Sequence, residues 1–260
     1  MVAVTGKISA FTRGMRALGC QEPPDTFVLT GQLFRRTRIV KHDFWAATAF
    51  YQALDGTRVV AKINRSEPFL GLPMDWIGRW LCRREIRFYR AMADLEHVPA
   101  LLGRIGRTGF IHAFVEGEPL SASSRIPDSF FPELQKLFAE IHRRGIAYVD
   151  ANKPQNILLG RDGRPYLIDF QISYDLHELG DWFLNRAILR RMQREDDYHV
   201  LKHKRKLRPD QMTNEELQRV SRRSPFIRLH RFLTRPYFLI RRRVMRGLRD
   251  AGQLLPEGSK

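Results

Sequence analysis

Cysteine is nearly absent from this chain, and so is any long apolar run. The two cysteines, Cys20 and Cys82, have neither metal-ligand spacing nor the density of a disulfide framework, which fits a reducing compartment. No stretch reaches the roughly 18 uncharged apolar residues of a membrane span. Lys7, Arg13 and Arg16 break up the beginning of the chain, so no secretory signal is expected. The expectation is a protein made and kept in the cytoplasm. Acidic residues are scarce as well: 28 stand against 45 lysines and arginines, a net charge of +17. The imbalance is uneven, because residues 181–260 hold 21 basic and 9 acidic side chains, a net of +12. Such a chain calls for an anionic partner: nucleic acid, an anionic membrane surface or a phosphorylated substrate. There is no internal repeat and no low-complexity tract.

What is present is enough for a core. With 260 residues, 43% of them hydrophobic, the chain makes one large domain or two small lobes. Residues 1–25 read as a leader ending in the turn-like "QEPPD". "TRIVKHDF" and "ATAFYQAL" read as strands, and Asp55–Gly56 turns the chain into the strand "TRVVAKI". Residues 75–93 read as a helix, with Ile77, Leu81, Phe88 and Met92 near helical spacing. "PALLGRIGRTGFIHAFVEG" reads as a hairpin. Residues 130–144 read as a second amphipathic helix that Gly145 stops. Strands with one helix, then helices with a small hairpin, make an α+β chain in two lobes. The expected divisions are a leader (1–25), a small lobe (26–118), a large lobe (119–200) and a basic helical C-terminal extension (201–260).

Two aspartates, Asp150 and Asp169, sit in otherwise apolar segments of "GIAYVDANKPQNILLGRDGRPYLIDFQIS", with Asn156 between them. Upstream, "VVAKI" places Lys62 on the third strand of a meander, and "RREIRFYRAM" offers Glu85 on the helix after it. Across roughly residues 26–180, these residues in this order resemble the protein-kinase-like superfamily. "IHRRGIAYVDANKPQN" is similar to its catalytic loop and "YLIDFQIS" to its metal-binding motif. The resemblance implies a two-lobed protein-kinase-like fold that uses ATP and Mg²⁺. Asp150 would accept or orient the acceptor hydroxyl's proton, and Lys153 would reach the γ-phosphate. Asn156 and Asp169 would hold the metal, since Mg²⁺ takes hard oxygen ligands. Lys62 would neutralise phosphates, with Glu85 holding it.

The departures are specific. Asp150 to Asn156 is an interval of six, where the family's motif has five. Tyr148 and Val149 replace its His and Arg, and Gln171 its glycine. No Gly-rich loop precedes Lys62. The equivalent "VKHDFWAATAF" has only Ala46 and Ala47 as small residues, though its amides could approach phosphate and Lys41 would add charge. There is no A-P-E segment and little room for a peptide platform. The chain thus looks like the compact atypical members, the RIO-type kinases or the bacterial kinases of lipopolysaccharide-core sugars.

The last third carries a second signal. In 224–252, Phe226, Leu229 and Leu233 share one helical face, and Tyr237, Ile240, Val244 and Leu248 share another, each opposite arginines. Two packed terminal helices, an interfacial pair on anionic lipid and an RNA-binding tail all fit this pattern. "KHKRKLR" at 202–208 reads as an exposed loop or a phosphate grip. The expected function is phosphotransfer from ATP to an alcohol. The acceptor is a membrane-associated sugar or glycolipid, or a protein Ser/Thr, with the enzyme in the cytoplasm, either free or peripheral on the inner face of the cytoplasmic membrane. The alternative is a non-catalytic kinase-like module binding anionic membrane or RNA.

Overall fold

The computed structural model describes residues 13–121 and 125–221. They form two compact units. The first holds the described residues through 86 together with 101–114, and the second holds 87–100 and those from 115 on.

The first unit is a six-stranded antiparallel sheet. Its strands are β1 (Thr26–Leu29), β2 (Gln32–His42), β3 (Ala46–Ala53), β4 (Arg58–Asn64), β5 (Leu101–Ile105) and β6 (Gly109–Ala113), in the order β1-β2-β3-β4-β6-β5. Side chains on a strand alternate between faces. Ala49, Tyr51 and Ala53 of β3 therefore meet Val59 and Ala61 of β4, with Phe34 and Ile111, in one apolar layer. The β3–β4 turn uses Asp55–Gly56: Gly56 takes φ +88°, and the Asp55 carboxylate accepts the Thr57 amide at 2.9 Å. Helix α1 (Asp75–Ala91) follows β4. Its residues to Ile86 belong to the first unit and the rest to the second.

The second unit is mainly helical. Helix α2 (Phe130–Arg143) buries Phe130, Phe131, Leu134, Leu137, Phe138 and Ile141, an apolar stripe at helical period. Gly145, at φ +73°, ends it in the left-handed conformation that glycine adopts without strain. A three-stranded sheet, β10 (Pro165–Leu167), β9 (Ile157–Gly160) and β7 (Gly117–Pro119), and the pair β8 (Ile146–Ala147) and β11 (Tyr174–Asp175) frame the segment of interest. Helices α3 (Leu176–Leu179), α4 (Phe183–Leu207) and α5 (Asn214–Ser221) complete the unit.

Three expectations change. Part of the expected leader is packed: Arg16, Ala17 and Leu18 are buried, and the Ala17 amide and carbonyl bond to Asp43 and Ser66. Backbone pairing and bonds from the Arg16, His42 and Arg65 side chains hold this segment, so no apolar period announces it. The division at residue 200 falls inside α4, which runs on unbroken. "KHKRKLR" is then the end of a helix rather than a loop. His203 and Lys204 are buried, and Lys204 Nζ meets both Glu216 carboxylate oxygens at 2.8 Å. The helices expected over 224–252 lie outside the described residues.

Candidate active site

The first unit contributes an ion pair. Lys62 lies mid-strand on β4, opposite Thr48 of β3 and Phe110 of β6. Its Nζ is 2.5 Å from Glu85 Oε1. Both residues are buried, Glu85 completely. A buried pair of opposite charges holds its geometry, because separating the two would leave a charge unsolvated. Close backbone approach sets the position of α1. A Cβ on Gly78 would stand 1.9 Å from the Arg65 carbonyl oxygen, so only glycine fits. Gly78 precedes Glu85 by seven helical residues, about 10 Å, and Arg65 follows Lys62 by three residues of nearly extended chain, also about 10 Å. Helix and strand thus meet at two points of matched spacing, a backbone contact and an ion pair.

The turn from β2 to β3 is closed by its own acid. Asp43 Oδ1 accepts the Trp45 and Ala46 amides at 2.9 and 3.0 Å. Burial pushes the Asp43 carboxyl up, but Lys41 and these amides outweigh it and leave it lowered. Lys41, expected to face phosphate, has its Nζ 2.9 Å from Asp43 Oδ2. The amides expected to approach phosphate at this turn are spent on a side chain of the turn itself.

The second unit gathers the carboxylates. Residues 146–156 run from β8 through a loop into a 3₁₀ turn, Pro154–Asn156. Two successive tight turns, Lys153 amide to Asp150 carbonyl and Asn156 amide to Lys153 carbonyl, both 3.1 Å, absorb the extra residue. Lys153 Nζ and Asn156 Nδ2 consequently converge on Asp150 Oδ2, at 2.6 and 2.9 Å. Burial raises the Asp150 carboxyl above its ordinary value. Lys153 and Asn156 pull it back, and the charge of Asp169 raises it again. The two carboxylates are therefore near enough to feel each other. A carbonyl bond ties the segments, since the Ile168 amide donates to the Asn156 carbonyl at 3.1 Å.

Two non-glycine residues here are left-handed: Val149 at φ +69° and Asp169 at φ +65°. For a β-branched residue this is a true outlier, costing on the order of 1–3 kcal/mol. Helix α4 offsets it. Asp196, fully buried, accepts the Val149 amide on Oδ1 at 2.8 Å and the Tyr148 amide on Oδ2 at 2.7 Å. His142 Nε2 lies 3.3 Å from the same carboxylate. Burial raises the Asp196 carboxyl, against the opposing pull of His142 and the two amides. Further along the helix, His203 Nε2 donates to the Ala151 carbonyl at 2.9 Å, and Gln193 Nε2 donates to the His142 and Ile146 carbonyls.

Tyr148 is a buried strut. Its hydroxyl donates to the Ile168 carbonyl. Burial, then the Asp169 and Asp150 charges, hold that hydroxyl well above its ordinary pKa. Phe170 sits between rings, with centroids 5.5 Å from Tyr148 and 5.0 Å from Tyr89 of α1. The sequence reading missed Asp196, Gln193 and His203. Their signal was present, because with Leu189 and Val200 they recur every three or four residues on one face of α4. Polar groups on a buried stripe need partners.

Asp169 and the Asn156 amide oxygen are hard donors suited to Mg²⁺, which takes one or two protein ligands with phosphate and water. Among the described residues no cluster of three or more His, Cys, Asp or Glu could hold a metal.

No protein-family model and no curated protein sequence matches the chain. Solved structures do. A Rio2 kinase from Chaetomium thermophilum, in an ADP/Mg²⁺-phosphoaspartate complex, superposes with a TM-score of 0.51 at 16% identity over 72% of this chain. The chain spans 62% of that kinase's length. A second Rio2 structure from the same organism gives 0.47 at 15% identity, covering 71% of this chain and 70% of that one. The BubR1 kinase domain gives 0.49 at 16%, covering 73% and 66%. At these identities the likeness is one of fold.

Proposed function

We propose, from the premise that the chain has the protein-kinase-like fold, that it transfers the γ-phosphoryl group of ATP to an alcohol. The observation that carries this reading is the strained loop. Val149 and Asp169 both hold left-handed backbone beside or at the two carboxylates, a cost that persists where geometry serves function. Asp150 receives the acceptor hydroxyl's proton. Its Oδ2 is taken by Lys153 and Asn156, which leaves Oδ1 for the hydroxyl. Burial raises its carboxyl and so makes it a better base than an exposed aspartate. Lys62, held by Glu85, binds phosphate oxygens, and Lys153 passes from Asp150 to the γ-phosphate. Asp169 and the Asn156 oxygen hold Mg²⁺, which when bound neutralises phosphate charge and orients the transferred group. The ADP/Mg²⁺ in the Rio2 complex supports this choice of nucleotide and metal. The acceptor is a membrane-associated sugar or glycolipid hydroxyl, or a protein Ser/Thr.

One observation favours a second reading, a non-catalytic kinase-like module that binds anionic membrane or RNA. Asp43 occupies the amides of the β2–β3 turn, where the family's glycine-rich loop covers phosphate. Nucleotide titration with and without Mg²⁺, followed by γ-phosphate transfer to membrane and protein fractions, separates the two. Catalysis predicts Mg²⁺-tightened ATP binding that Asp169→Ala removes. It also predicts a loss of about 10²-fold or more in turnover for Asp150→Asn, with ATP affinity kept. Equal turnover in that variant would sink the role of Asp150.

A further inference from the structure

The first unit carries a basic, aromatic face that phosphotransfer does not use. Trp76, Arg79, Trp80, Arg83, Arg104 and Arg107 line an open concavity of about 820 Å³ between the start of α1 and the β5–β6 turn. Trp76 and Trp80 are one helical turn apart and so share a face. Among the described residues no acid lines the concavity. Arg79 is paired with Asp75 at 2.5 Å, whereas Arg83, Arg104 and Arg107 have no carboxylate partner among the described residues. Just before α1 in the chain comes the 69–72 turn, closed by reciprocal amide–carbonyl bonds of 3.0 and 2.9 Å between Phe69 and Leu72.

The turn is held rigidly. Phe69 packs edge-on against Phe44 at 5.1 Å. The Arg65 guanidinium, itself buried, lies 4.0 Å over the Phe44 ring and donates to the Pro68, Phe44 and Gly14 carbonyls at 3.2, 2.9 and 2.7 Å. Two leucines are nevertheless turned outward, Leu70 86% and Leu72 65% exposed, and a few residues on Trp76 is 59% and Trp80 51% exposed. Leu70 even adopts φ +51°, where glycine or asparagine would be easier. Outward aliphatic side chains, exposed tryptophans and arginines are the residue types of the three layers of a lipid interface: acyl chain, headgroup boundary, phosphate. A single-stranded nucleic acid would use the tryptophans and arginines but has no place for the leucines.

We infer that this face binds the surface of an anionic phospholipid bilayer, with Leu70 and Leu72 inserted and Arg83, Arg104 and Arg107 on lipid phosphates. The inference does not rest on phosphotransfer, and its test needs no nucleotide, so the two fail separately. The full chain is sedimented with vesicles of about three parts phosphatidylcholine to one of phosphatidylglycerol, and with pure phosphatidylcholine, across a salt series. Binding should require the anionic lipid, weaken with salt and shift tryptophan emission to the blue. Leu70→Ser with Leu72→Ser should cut vesicle affinity about tenfold or more, and Arg83→Glu with Arg107→Glu comparably. Thermal melts check that each variant is folded, and the leucine pair touches only exposed positions. Parent-like sedimentation by the folded leucine variant overturns the inference and leaves vesicle binding to the rest of the chain. Retention on a single-stranded oligonucleotide that Trp76→Ala with Trp80→Ala abolishes, and the leucine variant keeps, overturns it in favour of nucleic acid.

Discussion

At the scale of single residues, the proposed phosphotransfer turns on what surrounds Asp150. Burial raises its carboxyl while Lys153 and Asn156 lower it. Lys153→Ala removes one of the lowering partners, so the carboxyl should rise further. A base must be ionised to act, so the acid limb of the kcat/KM profile should move to higher pH in this variant. Lys153→Arg, which keeps the charge, should move it less. A limb that stays in place while activity falls would assign Lys153 to phosphate alone. The sign for stability is opposite to that of a salt-bridged acid. A carboxyl raised in the folded state costs stability as pH climbs from the ordinary carboxylate range through its raised value. Lys62, Glu85, Asn156 and Asp169 were legible as types in an order. The roles of Asp43 and Lys41 were not, because a carboxylate folding back on its own turn leaves no periodic trace.

At the scale of elements, α4 is the support of the loop, and its contribution was legible only in part. The periodic apolar residues of α1 and α2 announced both helices. The strand β4 announced itself by "RVVAKI". In α4, Asp196 reads as one of many surface charges until its partners are known. Asp196→Ala would strand the Tyr148 and Val149 amides, each at about 1–3 kcal/mol, and would release the strained Val149. Urea unfolding should show a markedly lower midpoint for this variant, and Asp196→Asn, which keeps one acceptor oxygen, should fall between it and the parent. Unchanged midpoints would mean the loop stands without α4. The leader and the division at residue 200 were misplaced for related reasons. One segment is held by backbone bonds and by polar side chains distant in sequence, and the other buries charged residues, Lys204 among them, that composition assigns to solvent.

At the scale of the whole chain, the net charge of +17 opposes compaction through self-repulsion. Local pairs work against it: Arg144 with Asp94 and Glu140, Arg164 with Glu96 and Glu133, Arg208 with Asp128 and Asp210. Such exposed pairs are worth about 0–1 kcal/mol each and are themselves screened by salt. The long-range excess therefore dominates. Melting temperature at pH 7 should rise as sodium chloride is raised from low to roughly physiological ionic strength, over which screening becomes effective at about 8–10 Å. A fall over that range would give the pairs the larger share. No described helix is long and apolar enough to cross a membrane.

The close approach at Gly78 makes the small unit behave like a calibrated instrument. Its zero is set by a missing methyl group, and its reading is taken one helical span away, at Glu85. An alanine there touches no charged group and no ligand, yet it would lift α1 off the Arg65 carbonyl and carry the Glu85 oxygen out of reach of Lys62. In a mutational screen such a variant would score with the charge-removing ones while its own side chain looks innocuous. The tolerance of this ion pair is thus written in a position whose chemistry is nothing but vacancy.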